Sequence, residues 1–138
     1  MSSKNNKKTI PVPELPKDET LKFSFRCYDE SGRYCLSKWE KSDVLTVLKR
    51  LKDLNTKTYN ELQRNRSVYH FHAVNWEITT EKKGYSDVFL KNKEPFQIAL
   101  VGINNQKARL YGAFERNTFY IVWFDFDHTI TPSTLKHT

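Results

Sequence analysis

Apolar and polar residues alternate along this chain with two different periods, and the change of period marks out its elements. From residue 41 to 55, KSDVLTVLKRLKDLN sets Val44, Leu45, Val47, Leu48, Leu51 and Leu54 at helical spacing, with lysine and arginine outside. Ser42 is placed to cap this helix. Residues 58 to 61, TYNE, have the Thr-x-x-Glu form of a capping box and predict a second helix of about two turns. Elsewhere the period is two. LKFSFRCY and RYCLSKW flank the turn-rich DESG and predict a hairpin over residues 21 to 39. VYHFHAVNWEI alternates as a strand, EKKGYSD reads as a loop and VFL as a short edge strand. PFQIALVGI, KARLYGAF and FYIVWFDFD, separated by NNQ and ERNT, predict three strands joined by tight turns. The fold class is therefore α+β: an antiparallel sheet ending in a three-stranded meander, with the two early helices packed on one face.

Length bounds this picture to one domain. Residues 1 to 20 form a basic, proline-rich arm, residues 21 to 132 the domain and residues 133 to 138 a short tail. The longest apolar run, Phe119 to Phe124, is far too short to span a membrane, and the polar N-terminus lacks a secretory leader's apolar core, so a cytoplasmic location and no membrane partner are expected. Cys27 and Cys35 flank the expected hairpin turn and are expected to be free thiols in a reducing compartment. Charge changes the picture more. A net +7, from 23 Lys and Arg against 16 Asp and Glu, points to a polyanionic partner: nucleic acid, an acidic protein or an anionic surface.

Strand register then decides which residues share a surface. Pairing Phe114 with Phe119 across the ERNT turn sets Arg109 opposite Phe124 and Lys107 opposite Phe126, with His128 just beyond on the same face. That face mixes Tyr111, Tyr120, Phe124 and Phe126 with Lys107, Arg109 and His128. The other holds Ala99, Val101, Ile103, Leu110, Gly112, Phe114, Phe119, Ile121 and Trp123, and is the better surface for helix cover. Cations interleaved with aromatics on an open sheet suit single-stranded polynucleotide, and equally suit basic side chains lying over a half-covered sheet.

Two further constellations carry chemistry. FDFDHTIT, at the end of the last strand, resembles the Asp-x-Asp-x-Thr motif of haloacid-dehalogenase-type phosphatases, which implies a nucleophile at Asp125 and an acid/base at Asp127. That chemistry needs a lysine and further acids from later parallel strands, and only TITPSTLKHT follows, so the motif reads as a coincidence of strand ending. His70 and His72 lie two apart on an expected strand. With His128, Asp125 or Asp127 they form a candidate metal or acid/base pair, while the alternation of aromatics and histidines favours a packed sheet.

KARLYGAF, FYIVWF and the terminal DFDH, on a layout of early helices followed by an antiparallel meander, resemble the RelE/ParE superfamily of bacterial toxins over residues 95 to 130. The resemblance implies a metal-independent endoribonuclease acting on single-stranded or messenger RNA, ribosome-bound in some members, with no cofactor and with an acidic antitoxin-like protein as partner. In that chemistry His128 suits proton transfer, while Arg109 and Lys107 suit phosphate clamping. Arg116, Tyr111 and Phe126 are expected RNA contacts, and Tyr111 and Glu61 are the alternatives for the base. The alternative function is non-enzymatic: a nucleic-acid- or protein-binding regulator or defence-system accessory, with His128 structural.

Overall fold

Where the first expected strand begins, the chain lies alongside the start of the last one. The computed structural model describes residues 19 to 132. The expected arm (apart from its last two residues) and the tail lie outside the described residues. Leu21 is buried, its N–H bonded to Lys57 O at 2.9 Å, and β1 (Lys22–Ser24) pairs in parallel with β5 (Thr118–Asp125). The other strands are β2 (His72–Ala73), β3 (Pro95–Ala99) and β4 (Arg109–Glu115), and the sheet order is β1-β5-β4-β3-β2. The meander β3-β4-β5 is antiparallel as expected, but the whole sheet is mixed, because the parallel β1 replaces the expected N-terminal hairpin.

That hairpin fails for a physical reason. Tyr28 and Tyr34 bury on opposite sides of the β5 end, Tyr28 toward the helix side and Tyr34 toward the other. The segment is held to β5 by Asp29 N–H to Val122 O (3.1 Å) and Phe124 N–H to Tyr34 O (2.8 Å), so residues 28 to 34 wrap the strand end instead of pairing with one another. RYCLSKW then becomes a turn and one short 3-10 turn, Leu36–Lys38. The expected strand at 68 to 78 is likewise mostly lost. Val68 and Tyr69 finish a short helix, His70 turns left-handed at φ 46°, and only His72 and Ala73 join the sheet. VFL is a 3-10 turn, Val88–Leu90, rather than an edge strand.

The two expected helices form where the spacing placed them, as α1 (Lys41–Leu54) and α2 (Tyr59–Arg64). A third, α3 (Arg66–Tyr69), was not expected and takes the start of the stretch read as a strand. The N-cap of α1 is Glu40 rather than Ser42, and makes no side-chain cap bond. At α2 the capping box is complete: Glu61 N–H donates to Thr58 Oγ1 (3.1 Å) and Thr58 N–H to Glu61 Oε1 (2.9 Å), satisfying two N–H groups that a helix start leaves open. Val47, Leu51, Leu54 and Leu62 pack on Ile98, Leu110, Phe114, Phe119, Ile121 and Phe124, so the early helices do cover one sheet face.

One irregularity redistributes the other face. Phe114 pairs with Phe119 and Gly112 with Ile121, but the next pair is Tyr111 with Trp123, leaving Val122 as an extra residue. A one-residue bulge inverts the side-chain alternation beyond it. Trp123 therefore joins Tyr111, Ala113 and Val122 in a second core, Phe124 joins the helix-side core opposite Leu110, and Arg109 faces Asp125. The expected opposition of Arg109 to Phe124 is thus corrected.

Nor is that second face open. Tyr85, Trp76, Tyr34 and Ile130 cover it, with Trp76, Tyr85 and Trp123 meeting edge to face at centroid distances of 4.9 to 6.0 Å. Beneath this cover lie polar groups that satisfy one another. Tyr111 Oη donates to Gln97 Oε1 (2.9 Å) and shares a hydrogen with Thr131 Oγ1 (2.7 Å), while Tyr85 Oη donates to Gly112 O (2.8 Å). Among the described residues, no helix is long and apolar enough to cross a membrane.

Candidate nucleic-acid interface

The residues expected to share an open sheet face are dispersed by the bulge and its cover. Arg109 is 7% exposed and Tyr111 0%. The Arg109 guanidinium donates through Nη1 to Gln106 O (2.6 Å) and Ala108 O (3.1 Å), and its Nε has no acceptor among the described residues. Burial lowers its pKa, against the raising influence of Tyr111 and Asp125. These bonds give Arg109 a structural task. Asn104, Asn105 and Gln106 are three successive left-handed residues (φ 50°, 54° and 69°), a backbone that L-residues hold only when the surroundings compel it. Arg109 holds the last carbonyl of that loop, and Gln106 Oε1 accepts from Gly102 N–H at 2.7 Å.

The same loop fixes the end of β5. Asn104 Nδ2 donates to Phe126 O and to Asp127 Oδ1, both at 3.0 Å. Lys107 is exposed on the loop, and His128, half-buried in left-handed backbone (φ 59°), follows the strand. Arg116 is exposed in the β4–β5 turn, at the opposite end of an eight-residue strand and so roughly 26 Å from the His128 end at about 3.3 Å per residue. Arg116 and His128 therefore belong to different surfaces.

Asp125 explains the phosphatase-like motif. Its carboxylate accepts from Ile130 N–H (2.7 Å) and Thr129 Oγ1 (3.0 Å), closing the turn that carries residues 126 to 130 back over the sheet. At 1% exposure the group faces no substrate, and burial raises its pKa despite those bonds. The pair His70 and His72 does not share a strand face either. His70 is the left-handed cap of α3, while His72 Nε2 lies 3.0 Å from Gln97 Nε2.

What the fold does assemble is a groove beside Phe126. It encloses about 590 Å³ and is lined by Arg33, Lys38, Trp39 and Phe126, with Cys35, Ser37 and Glu40 completing the wall. Trp39 and Phe126 meet at a centroid distance of 4.9 Å and 72°, and Trp39 also lies edge-on to Phe124 at 6.1 Å. Both groove aromatics are half-buried, while Arg33 and Lys38 are exposed. Arg33 sits 5.5 Å from the centroid of the Tyr34 ring. A smaller cleft of about 140 Å³, between Arg33, Trp39, Phe126 and Asp127, continues the groove toward Thr129. The Cys35 thiol bonds Ser37 Oγ at 3.0 Å, and that bond lowers its pKa.

Of the expected RNA contacts, then, Phe126 lies in the groove, Arg116 lies at the far end of the sheet and Tyr111 is internal. Arg33, Lys38 and Trp39 fall outside the expected set because the alternation of RYCLSKW reads as a strand of a hairpin. The interleaving of Arg, Tyr, Lys and Trp in that stretch was the signal available. Comparison with known proteins found no matching family model, no matching curated protein and no matching solved structure.

Proposed function

We propose that this protein binds single-stranded RNA without cutting it, using the groove between the 3-10 turn at residues 36 to 38 and the end of β5. The observation that carries this reading is the placement of two exposed cations, Arg33 and Lys38, around the half-buried Trp39 and Phe126 rings in one groove of about 590 Å³. A groove of that size accommodates a base with part of its backbone. The rings offer a stacking surface and the cations meet phosphates. The net charge of +7 draws a polyanion to the surface.

The metal-independent endoribonuclease implied by the RelE/ParE resemblance is the competing reading. It keeps Lys107 exposed, but His128 is half-buried with its Nε2 out of solvent, and its third group, Arg109, is buried and bonded to two carbonyls of its own loop. That favours retention over cleavage.

The test is fluorescence anisotropy of a labelled single-stranded RNA in excess EDTA, followed by gel analysis of the same samples. Trp39→Ala is expected to weaken binding about tenfold, since one lost base–aromatic stack is worth about 1–3 kcal/mol, with the RNA left intact. Affinity unchanged in both Trp39→Ala and Arg33→Ala overturns the groove as the site. Cleavage that disappears in His128→Ala establishes the enzyme instead.

A further inference from the structure

Helix α1 carries a second surface that the RNA groove does not use. Val47, Leu51 and Leu54 are buried against the sheet, while Leu45 and Leu48 are 50% and 56% exposed. At 100° per residue these two leucines share a face with Lys41, Lys49 and Lys52, turned away from the buried stripe, and all five are exposed. The helix's two acids, Asp43 and Asp53, fall outside this face, and Asp53 lies 3.9 Å from Lys57. Among the described residues the ion pairs are Lys57–Asp53 and Lys93–Glu115, so none involves a lysine of the face. The result is an apolar pair ringed by uncompensated positive charge.

We propose that this face docks an acidic amphipathic helix of a partner protein, with apolar side chains seated on Leu45 and Leu48 and carboxylates meeting Lys41, Lys49 and Lys52. The chemistry selects that occupant. A second copy of the chain would bring the same lysines against each other, and like charges across an interface oppose association. RNA bases stack on aromatic faces, and the apolar part of this face is aliphatic, Leu45 and Leu48. An apolar centre with a charged rim is the layout of a protein interface, and helix-in-groove or helix-on-helix recognition reads anchors at this spacing.

The probe is a synthetic helical peptide with leucine along one face and glutamate on the rest, titrated into the full chain and followed by amide chemical shifts and by anisotropy. Shift changes are expected to concentrate on α1, and Leu45→Gln with Leu48→Gln is expected to weaken binding about tenfold or more. These exposed positions leave the core intact, so the variant folds, and its RNA affinity is expected to match wild type. A peptide with lysine in place of glutamate is expected not to bind. Any of three results overturns the proposal: shifts scattered over the protein, equal affinity in the double variant, or displacement of the peptide by single-stranded RNA. A concentration-dependent dimer in sedimentation that is abolished by the double variant also overturns it, assigning the face to self-association.

Discussion

Gly112 sits in β4 where the bulge begins, and a methyl group there tests whether the bulge geometry is real. A Cβ at this position would lie 2.1 Å from Tyr120 O and 2.6 Å from Phe119 Cε2. Both gaps fall roughly 1 Å or more short of ordinary contact. The Phe119 ring is fully buried and the Tyr120 oxygen is backbone in the neighbouring strand, so no rotamer change relieves the collision. Tyr85 Oη donates to the Gly112 carbonyl at 2.8 Å, which further restrains the strand from moving away. Overpacking in a core costs about 1–3 kcal/mol, and Gly112→Ala belongs at the upper end, about 3 kcal/mol. For a domain of this size that lowers Tm by roughly 12 °C, at about 4 °C per kcal/mol. Gly102→Ala is the matched control. Its Cβ would meet nothing nearer than Thr46 Cγ2 at 4.0 Å, but its φ of +88° disfavours a side chain, for about 1 kcal/mol and roughly 4 °C. Both are read by thermal unfolding followed in far-UV circular dichroism. A Gly112→Ala variant within about 4 °C of wild type refutes the close approach of β4 to β5, and with it the reassignment of Trp123 and Phe124 to opposite faces.

Three other perturbations address the buried network and the groove. Tyr111→Phe leaves Gln97 Oε1 and Thr131 Oγ1 without their shared hydroxyl, and is expected to cost about 1–3 kcal/mol in urea unfolding. A loss near zero would mean that this network is not formed. Burial raises the Asp125 pKa, so the folded state holds this proton more tightly than the unfolded chain does. Its contribution to stability is complete below the unfolded value of about 3.9 and is lost as pH rises through the folded value. Stability measured across that window should therefore fall less steeply with rising pH in Asp125→Asn than in wild type, and parallel curves contradict the assignment. Finally, Ser37 lowers the Cys35 pKa, while burial, and then Asp87, raises that of Cys27. Mass spectrometry after brief iodoacetamide treatment near neutral pH should show Cys35 modified about tenfold faster or more. Ser37→Ala should slow it and bound RNA should protect it, whereas equal labelling of both thiols removes the thiolate argument.

Elements whose signal is local were legible in the chain. The helical period of α1 and the Thr58–Glu61 capping box involve residues within four positions of each other, and both elements formed where the spacing placed them, although Leu45 and Leu48 fell on the exposed side of α1. The meander was legible for the same reason, since its connections are short and its strands are sequence neighbours. Alternation alone could not tell LKFSFRCY from RYCLSKW. The first became a strand by pairing with β5, nearly a hundred residues away, and the second gave up pairing because Tyr28 and Tyr34 were drawn to opposite sides of that strand.

The sequence by itself determined an α+β domain, its helix-covered sheet face and its positive charge, because each follows from residue type and local period. Tertiary structure alone decided the location of the candidate site. A single extra residue at Val122 inverted the faces beyond it, sending Trp123 one way and Phe124 the other. The cover over the second face then took Arg109 and Tyr111 out of solvent, and the wrap of residues 28 to 39 around β5 brought Arg33, Lys38 and Trp39 to Phe126. Alternation in a strand carries its phase only as far as the pairing stays regular, and what interrupts the pairing is a partner strand that no local pattern records.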